Sequence, residues 1–463
     1  MTFMTFWGEV VKIKSINPYT EEVNWTYDSF SFEECESRIE NSRATFSGWS
    51  SLSIEERTKY FSRASKVFRH NSEIYAEIIT KEIGKPIRQS RGEIEKCAWI
   101  CDYYAENAAE FLKDEIVDTE AEKSYVTFEP LGVILGIMPW NFPFWQVFRF
   151  AVPAICAGNV CVLKHASNVP RSALEIEKVF IEAGFPENVF NTLLIDSKTA
   201  MEIIEEEMID GVSLTGSIVA GSEIGELAGG LIKPFVLELG GSDPFIVLED
   251  ADTERAAQTA VKSRFLNTGQ SCAAKRFIVL EDVVVDFIEA FELEMQELKI
   301  GDPMNEETDI GPLAKKEFIE SLEKVLKDAK KKGAEPQVYG EEHNKGFFFR
   351  PTIIPAASTD MRVCNAEVFG PIAPVITVKD EDEAIKVANS TEFGLGAEIW
   401  SRDLERAQRL AKRIKSGIVA INGMVKSDPR LPFGGIKKSG IGRELSHYGL
   451  KEFVNIKTVV VNK

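Results

Sequence analysis

Short apolar strands alternate with helices between about residues 125 and 238. The segment 125–138 predicts two strands around a turn at Pro130 and Gly132, and further strands and helices follow it. The later strands are predicted at 160–164, 189–195, 211–215 and 235–238, and the helices at 170–183, 199–207 and 217–228. Alternation at this spacing predicts a parallel, doubly wound sheet with crossover helices. Such sheets bind nucleotides at the carboxyl ends of their strands, where helix N-termini offer N–H groups to phosphate.

The alternation begins again after residue 238, which predicts a second α/β unit. This unit starts with a helix at 253–266, a strand at 276–280 and a helix at 283–298, and later helices are predicted at 315–332 and 404–415. Helices at 54–71, 73–83 and 87–112 precede the first unit. The tail 452–463 is predicted to be an exposed strand, and such strands usually pair with another chain. At 463 residues, the chain is long enough for about three structural units.

Charge and cysteine content exclude several classes of protein. A net charge of −19 disfavours nucleic acid as a partner because it repels phosphate backbones. The seven cysteines form no C-x-x-C pair, so reduced thiols are expected, and Cys97 and Cys101 are predicted to pack on one helix face. The four histidines are scattered, so we expect no metal site. The N-terminal segment has no basic leader and no apolar run reaches about 18 residues, so we expect a cytoplasmic protein without a membrane span.

Three residues have the chemistry of a nucleophilic site. Cys272 follows a glycine and small polar residues and precedes an apolar strand, a setting that favours access to the thiol. Glu238 and Asn141 lie at predicted junctions between strands and loops. Taken singly, each has a plain structural interpretation: a packed cysteine, a solvated strand end and a turn residue. Together they offer a nucleophile, a base and an oxyanion donor.

Seven ordered motifs make the chain resemble the aldehyde dehydrogenase superfamily over essentially its full length. The motifs are Pro139-Trp-Asn-Phe-Pro143, Leu163-Lys-His-Ala-Ser167, Thr215-Gly-Ser217 with Gly221, Leu237-Glu-Leu-Gly-Gly241, Gly269-Gln-Ser-Cys272, Glu367-Val-Phe-Gly-Pro371 and Pro432-Phe-Gly-Gly435. The closing run 433–449 is most similar to the succinate-semialdehyde and related small-aldehyde branch.

The resemblance implies a Rossmann-type cofactor domain, a second α/β catalytic domain and a small β element for oligomerisation. The expected boundaries are 1–111 with 132–238 for the dinucleotide-binding domain, 239–445 for the catalytic domain, and 112–131 with 446–463 for the oligomerisation element. A homodimer or a homotetramer is expected.

The same resemblance implies a role for each member of the trio. Cys272 is expected to attack the aldehyde carbonyl and form a thiohemiacetal that loses hydride to the nicotinamide. The side chain of Asn141 and the backbone N–H of Cys272 are expected to hold the oxyanion. Glu238 is expected to activate the water that hydrolyses the resulting thioester. A carboxylate at this position argues against the CoA-acylating branch, which lacks the base. An intact trio likewise argues against a catalytically idle structural protein on the same fold.

The cofactor is expected to be NADP, with NAD as the alternative. Lys164 matches the lysine that bonds the adenosine ribose, and Glu367 matches the carboxylate that holds the nicotinamide ribose. Members that prefer NAD often place an acid at the position of Ser167, and a hydroxyl removes its repulsion of a 2′-phosphate. His165 next to it is expected to be mainly structural. The full set of expected cofactor-binding residues is Trp140, Lys164, Ser167, Gly216, Ser217, Gly221, Leu239, Glu367 and Phe369.

For the substrate, the resemblance points to succinate semialdehyde. Arg149 falls where the family lines its substrate tunnel, together with Phe433, and a guanidinium suits a carboxylate by bidentate pairing. A salt bridge is the alternative role for Arg149. Leu266 stands where the best-matched enzymes carry a second arginine. A short polar aldehyde such as lactaldehyde or glyceraldehyde is therefore the alternative substrate.

Overall fold

The computed structural model describes residues 11–273 and 275–463, and these fold into alternating strands and helices. The strands are β1 (Lys12–Ile16), β2 (Val23–Asp28), β3 (Glu115–Ile116), β4 (Lys123–Pro130), β5 (Val133–Met138), β6 (Val160–His165), β7 (Phe190–Leu193), β8 (Gly211–Thr215), β9 (Phe235–Glu238), β10 (Asp243–Val247), β11 (Lys275–Leu280), β12 (Gln337–Val338), β13 (Thr352–Ile354), β14 (Ile372–Val378), β15 (Glu398–Trp400), β16 (Ala420–Ile421), β17 (Gly440–Ile441) and β18 (Val454–Val461). The helices are α1 (Phe32–Ser50), α2 (Ile54–His70), α3 (Ser72–Ile83), α4 (Ile87–Phe111), α5 (Trp145–Cys156), α6 (Pro170–Glu182), α7 (Ser197–Glu205), α8 (Ile218–Gly230), α9 (Thr253–Phe265), α10 (Val284–Gln296), α11 (Glu317–Lys331), α12 (Arg362–Asn365), α13 (Glu381–Ala388), α14 (Leu404–Ala411) and α15 (Ser446–Leu450).

The first large sheet has the strand order β17-β9-β8-β5-β6-β7. All its neighbours pair in parallel except β17, which lies antiparallel to β9 at the edge. The chain runs outward from β5 through β6 to β7, and then returns to β8 on the other side of β5. This reversal between β5 and β8 is the switch point at which open α/β sheets bind ligands. The doubly wound sheet predicted from the sequence is therefore confirmed.

The second large sheet has the order β12-β13-β14-β11-β10-β15-β16 and is parallel except for β12. The loop with Cys272 leads into the amino end of β11, and the loop with Glu367 leads into the amino end of β14. Charge and hydrogen-bond contacts join these two loops to residues at the carboxyl ends of β5 and β9. The first sheet thus contributes its carboxyl edge to a shared cleft, and the second sheet contributes its amino edge.

A smaller sheet, with the order β18-β4-β3, lies apart from the two large ones. The predicted strands on either side of Pro130 are present, and they belong to different sheets: β4 pairs with β18, whereas β5 pairs with β6 and β8. The outer edge of β18 has no neighbouring strand among the described residues. Several apolar side chains of this sheet are exposed, namely Ile116, Val460 and Ile456.

Most predicted elements lie within two residues of the observed ones, and the helix predicted at 404–415 ends earlier, at Ala411. The sequence did not predict α1 or α5. Every residue of α5 is buried, including Gln146 and Arg149, so this helix has no solvent-facing polar side to mark it. Helix α1 begins with a capping box in which Ser31 and Glu34 exchange side-chain and backbone hydrogen bonds.

The described cysteines are all unpaired, and six of them are buried. Cys97 and Cys101 pack in the core on α4, as the four-residue spacing predicted. No described helix is long and apolar enough to cross a bilayer.

Candidate active site

Four strand ends of the first sheet bring most of the predicted site residues to one edge. Trp140 and Asn141 follow β5, Lys164 lies at the end of β6, Ser217 follows β8, and Glu238 ends β9. These strands are parallel neighbours or nearly so, and their carboxyl ends meet at one rim. Residues that are far apart in the chain therefore face one cleft, as expected for the switch point of a doubly wound sheet.

Cys272 lies on the opposite side of the cleft, in the loop before β11. It is the one cysteine of the described residues that is partly exposed. Burial raises the pKa of its thiol to about 12; the charge of Arg149 lowers it, while Glu367 and Glu238 raise it further. The thiol is thus accessible and protonated at neutral pH in the protein without cofactor.

A strained turn precedes this loop. Asn267 and Thr268 have φ values of 51° and 56°, in the left-handed region that β-branched residues rarely adopt. The hydroxyl of Thr268 donates to the carbonyl of Gly311 at 3.0 Å, and the backbone N–H of Asn267 donates to Oε1 of Gln89 at 2.8 Å. Tertiary contacts therefore hold a conformation that the local sequence does not favour.

Asn141 is tied to the same loop from the other side of the cleft. Its Nδ2 donates to the carbonyl of Gln270 at 3.2 Å, and its own carbonyl accepts from Nδ2 of Asn267 at 2.8 Å. Both asparagines are buried. The predicted oxyanion donor therefore lies beside the loop of the predicted nucleophile, although nearly 130 residues separate the two in sequence.

His165 fixes the backbone on which Asn141 is placed. Its Nε2 lies 2.8 Å from the carbonyl of Pro143, and its Nδ1 lies 3.1 Å from that of Met138. Burial lowers the pKa of the ring to about 4, so the ring is neutral at pH 7. This placement agrees with the structural role expected for His165.

Glu238 is 2% exposed at the end of β9. Burial raises the pKa of its carboxyl well above the ordinary value; Arg149 opposes this shift and Glu444 adds to it. Its Oε1 has no hydrogen-bond partner among the described residues and lies against the backbone of Gly434, where a Cβ would be 2.6 Å away. A carboxyl whose pKa is raised binds a proton more readily, which suits a general base.

Arg149, the predicted substrate-binding residue, is buried on α5 and takes part in an ion pair with Glu444. Its Nη2 donates to the hydroxyl of Thr215 at 3.3 Å, and its guanidinium stacks over the ring of Phe433 at 4.6 Å. The structure thus brings the two predicted substrate residues together, and it adds an internal carboxylate that the sequence interpretation did not include.

Arg264 connects the loop that carries Cys272, the predicted nucleophile, to the loop that carries Glu367 and Phe369. It is buried, and its guanidinium donates to the carbonyls of Val368, Gly370 and Ile372 at 2.6–2.9 Å and to that of Gly269 at 3.3 Å. One side chain therefore fixes the spacing of the two loops on the amino edge of the second sheet.

A cavity of about 1390 Å³ opens beside the carboxyl edge of the first sheet, and Ser167, Asp196 and Lys315 line it. Lys164 lies close enough to Lys315 for the charge of Lys315 to lower its pKa. Burial is the largest cause of the lowered pKa of Lys164, and Asp196 opposes it. Neither lysine forms an ion pair with a described carboxylate. Two lysines without a carboxylate partner and a hydroxyl beside the end of β6 fit the phosphates of a dinucleotide.

The rest of the predicted cofactor set borders the same cleft. Ser217 caps α8 by accepting from the N–H of Ala220 at 3.2 Å, and Gly216 directly precedes it. Gly221 packs against Leu239, where a Cβ would meet the leucine at 2.6 Å. Glycine at position 221 therefore allows α8 to pack closely on Leu239, with the N-terminus of the helix at this rim.

Glu367 and Phe369 lie on the wall formed by the second sheet, and Trp140 reaches them from the first. The Glu367 carboxyl lies over Gly240, where a Cβ would be 2.5 Å away, and burial raises its pKa to about 7. Trp140 stacks on Phe318 with ring centroids 5.1 Å apart and meets Phe369 edge-on at 5.6 Å. Trp140 thus belongs to a partly buried aromatic group that borders the cleft.

Several residues of the site had no distinct signal in the sequence. They are Asn267, Phe318, Lys315 and Glu444. Asn267 lies two residues before the motif that starts at Gly269, and Glu444 lies inside the closing run 433–449, so their nearness to these motifs was the available clue. Phe318 and Lys315 belong to the start of α11 and come to the cleft through tertiary packing alone.

Comparisons with known proteins agree with this geometry. The model of the aldehyde dehydrogenase family matches residues 7–459. A probable succinate-semialdehyde dehydrogenase [NADP(+)] of Synechocystis sp. is 46% identical over 96% of this chain and 99% of its own. Succinate-semialdehyde dehydrogenase [NADP(+)] 1 of Mycobacterium bovis is 44% identical over the same shares.

A solved structure is also closely similar. The succinic semialdehyde dehydrogenase of Streptococcus pyogenes, crystallised in complex with NADP+, superposes with a TM-score of 0.94 at 38% identity, over 97% of this chain and 100% of that one. Both large sheets and the cleft between them lie within the matched region. By sequence and by structure, the chain belongs to the aldehyde dehydrogenase family.

Proposed function

We propose that the protein oxidises succinate semialdehyde to succinate with NADP+ as the electron acceptor. The observation that carries the proposal is the meeting, across one cleft, of the accessible thiol loop of Cys272, the amide of Asn141 and the buried carboxyl of Glu238. These groups supply the nucleophile, oxyanion donor and base that aldehyde oxidation through a thioester requires.

In the first half of the reaction, the sulfur of Cys272 adds to the aldehyde carbon and its proton leaves to solvent. The oxyanion that forms accepts hydrogen bonds from Nδ2 of Asn141 and from the backbone N–H of Cys272. Losing one such donor typically costs about 3 kcal/mol of barrier. When bound, NADP+ accepts the hydride that the thiohemiacetal loses, and its positive ring favours the thiolate over the thiol.

In the second half, Glu238 takes a proton from the water that attacks the thioester. Its raised pKa makes the carboxylate a stronger base than an exposed glutamate. The water oxygen bonds to the acyl carbon, and the thiolate of Cys272 leaves. The proton held by Glu238 then passes to the thiolate, which restores the thiol and the unprotonated base, and the acid product loses its own proton to solvent.

The preference for NADP+ rests on the cleft around Ser167. No carboxylate stands at position 167, and Lys164 and Lys315 both lie without an ion-pair partner near it. The relatives named above carry NADP(+) in their names. Ser167→Glu is therefore expected to lower the ratio of kcat/KM for NADP+ over NAD+ about tenfold or more, because a carboxylate repels the 2′-phosphate. An unchanged ratio would remove Ser167 from the cofactor site.

Arg149 is the proposed partner of the substrate carboxylate, with Phe433 beneath it. Its Nε pairs with Glu444 and its Nη2 donates to Thr215, and Nη1 donates to no described residue. This leaves one face of the guanidinium for the aldehyde. The internal pairing also supports a second candidate, a short uncharged aldehyde such as lactaldehyde or glyceraldehyde, because Glu444 already neutralises much of the arginine charge.

A panel of aldehydes tests the proposal directly. We expect reduced nicotinamide to form at 340 nm with succinate semialdehyde and NADP+, with kcat/KM above that for lactaldehyde, glyceraldehyde and pentanal. A higher value for lactaldehyde would favour the second candidate. The absence of reduced nicotinamide with every aldehyde would overturn the dehydrogenase assignment. Reaction that needs CoA would assign the chain to the acylating branch.

We further propose that the chain forms a homodimer or homotetramer through the sheet of β3, β4 and β18. Its free β18 edge and exposed Ile456, Val460 and Ile116 suit pairing with a second copy. This agrees with oligomerisation residues at 112–131 and 446–463, a cofactor domain at 1–111 with 132–238, and a catalytic domain at 239–445. Light scattering is expected to give two or four chains; a monomer at micromolar concentration would contradict it.

We also propose a cytoplasmic location, because the unpaired cysteines of the described residues suit a reducing compartment.

A further inference from the structure

Lys96 is a sheltered lysine beside the proposed substrate pocket, and the mechanism does not use it. It lies on α4, one turn after Glu93, whose Oε1 accepts from the backbone N–H groups of Phe144 and Trp145. Residues three apart on a helix share a face. Lys96 therefore faces the segment that carries Asn141.

The contacts of Lys96 lack an anion. Its Nζ donates to Oγ of Ser427 at 2.7 Å and lies over the ring of Trp145, 4.1 Å from its centre. The same Ser427 oxygen accepts from Nε1 of Trp145 at 2.9 Å. Lys96 forms no ion pair with a described carboxylate, whereas the more deeply buried Lys85 has one such partner and Lys275 has two. A lysine in apolar surroundings normally has such a partner.

Lys96 also lies on the side of α5 that carries Arg149. Its Nζ is over the ring of Trp145, and Trp145 and Arg149 are four residues apart on α5 and so share a helix face. Lys96 and Ser427 keep partial exposure, while Trp145, Arg149 and Phe433 are buried. Of these five residues, the lysine and the serine therefore keep accessible surface.

We infer that Lys96 is a second cation, beside Arg149, that binds the carboxylate of the aldehyde substrate. The inference rests on the proposed function, since it requires an acidic aldehyde. It accounts for Leu266, which stands where related enzymes carry a second arginine: the missing charge comes from α4 instead. The ammonium forms a charge-assisted hydrogen bond to the carboxylate, and its hydrogen bond to Ser427 is either lost or kept beside the new one.

Substitution of Lys96 is expected to separate acidic from neutral aldehydes. Lys96→Met should raise KM for succinate semialdehyde about tenfold with kcat changed less than about threefold, and should leave kcat/KM for pentanal unchanged. Lys96→Arg should keep most of the preference. Lys66→Met, at an exposed site on α2, is the matched control and should alter neither substrate.

The pH dependence gives a second readout that mere packing would not produce. Burial lowers the pKa of Lys96 to about 7, with Arg149 adding to the shift and Cys97, Glu93 and Asp428 opposing it. Protonated lysine binds a carboxylate and neutral lysine does not. The ratio of kcat/KM for succinate semialdehyde over pentanal should therefore fall as pH rises through about 7.

In Lys96→Arg this fall should disappear, because arginine keeps its charge. The ratio cancels the titration of Cys272 and Glu238, which both aldehydes share.

The outcomes distinguish the two proposals. A wild-type enzyme that prefers succinate semialdehyde, combined with an equal preference in Lys96→Met, would overturn the role of Lys96 and leave the proposed function intact. A wild-type enzyme with no preference over pentanal would overturn the acidic substrate itself. If Lys96→Met fails to fold, as judged by circular dichroism, the comparison of wild type with Lys96→Arg decides: identical pH courses would contradict the inference.

Discussion

The two large sheets meet the cleft with opposite edges, and they hold their functional residues by different means. On the carboxyl edge of the first sheet, Asn141, Lys164, Ser217 and Glu238 lie at strand ends or within three residues of one. On the amino edge of the second sheet, Cys272 follows a turn with two left-handed residues and is held by side chains from elsewhere in the chain.

This difference separates what sheet topology places from what tertiary contacts place. A strand end is fixed mainly by the ladder of the sheet, and Asn141, three residues beyond β5, has added support from His165 and Asn267. The nucleophile loop needs Gln89, Arg264 and the carbonyl of Gly311 to keep it in place. Strain of this kind is stored where the surrounding structure overdetermines it. The amino edge is therefore expected to be the more sensitive of the two to small changes.

Removal of the nucleophile should give the largest effect. Cys272→Ala is expected to lower kcat by at least about 10⁴-fold, since no other group forms the thioester. Binding of NADP+, followed by fluorescence titration, should stay within about twofold of wild type because the carboxyl edge is unaltered. The neighbouring Ser271→Ala is the control and should keep most of the activity. A Cys272→Ala enzyme that still turns over would mean that the thiol has been wrongly assigned.

Removal of the base on the carboxyl edge should spare the first half of the reaction. Glu238→Gln is expected to release about one equivalent of reduced nicotinamide per site in a rapid burst and then to turn over about 100-fold more slowly. Stopped-flow absorbance at 340 nm measures both phases. A steady-state rate equal to wild type would contradict the role of Glu238, and loss of the burst would place its function before hydride transfer.

The contrast between the two edges also explains which parts of the fold and the site could be predicted from the sequence. In the first sheet, the order of strands and helices and the residues that follow strands were predictable because hydrophobic period and strand ends are local properties. In the second sheet, β11 was the one strand predicted. Helix α5 was missed because it is buried on every side and shows no polar face to solvent. The turn at Asn267 and Thr268 was missed because nothing local favours two left-handed residues there.

The pairing of Arg149 with Glu444 was equally beyond local reasoning. The two residues come together only when α5 and the segment after β17 pack on the first sheet. A guanidinium in an aromatic segment was visible in the sequence, and the carboxylate that shares its charge was not. Substrate specificity therefore depends on the part of the site that the sequence describes least well.

Two glycine variants, one on each edge, test whether the amino edge is more sensitive than the carboxyl edge to the loss of a side chain. Asn267→Gly keeps a residue that tolerates positive φ and deletes the two bonds from Nδ2 to the carbonyls of Asn141 and Gln270. We expect kcat to fall about tenfold with KM for NADP+ nearly unchanged. Ser217→Gly deletes the cap bond to Ala220, and glycine is a nearly equivalent N-cap. We expect kcat to stay near wild type while KM for NADP+ rises about twofold. Equal effects of the two variants on kcat would remove the distinction between the edges.

The smallest effect concerns stability, through the carboxyl of Glu367 on the amino edge. Burial raises its pKa to about 7, Asp243 adds to the shift, and the N–H of Gly241 opposes it. Because the folded state binds this proton more tightly than the unfolded state, the stability it contributes is present below about pH 4.5 and is lost as pH rises to about 7. Glu367→Gln is neutral at every pH and avoids that loss.

The Tm of Glu367→Gln without cofactor, relative to wild type, should therefore increase by about 2 °C between pH 5.5 and pH 8 and level off above about pH 7. Differential scanning fluorimetry measures it, with the exposed Glu110→Gln as the control. A pH-independent difference would show that Glu367 is already charged in the folded protein. With NADP+ present the order should reverse, because the carboxylate that destabilises the empty cleft is the one proposed to hold the nicotinamide ribose.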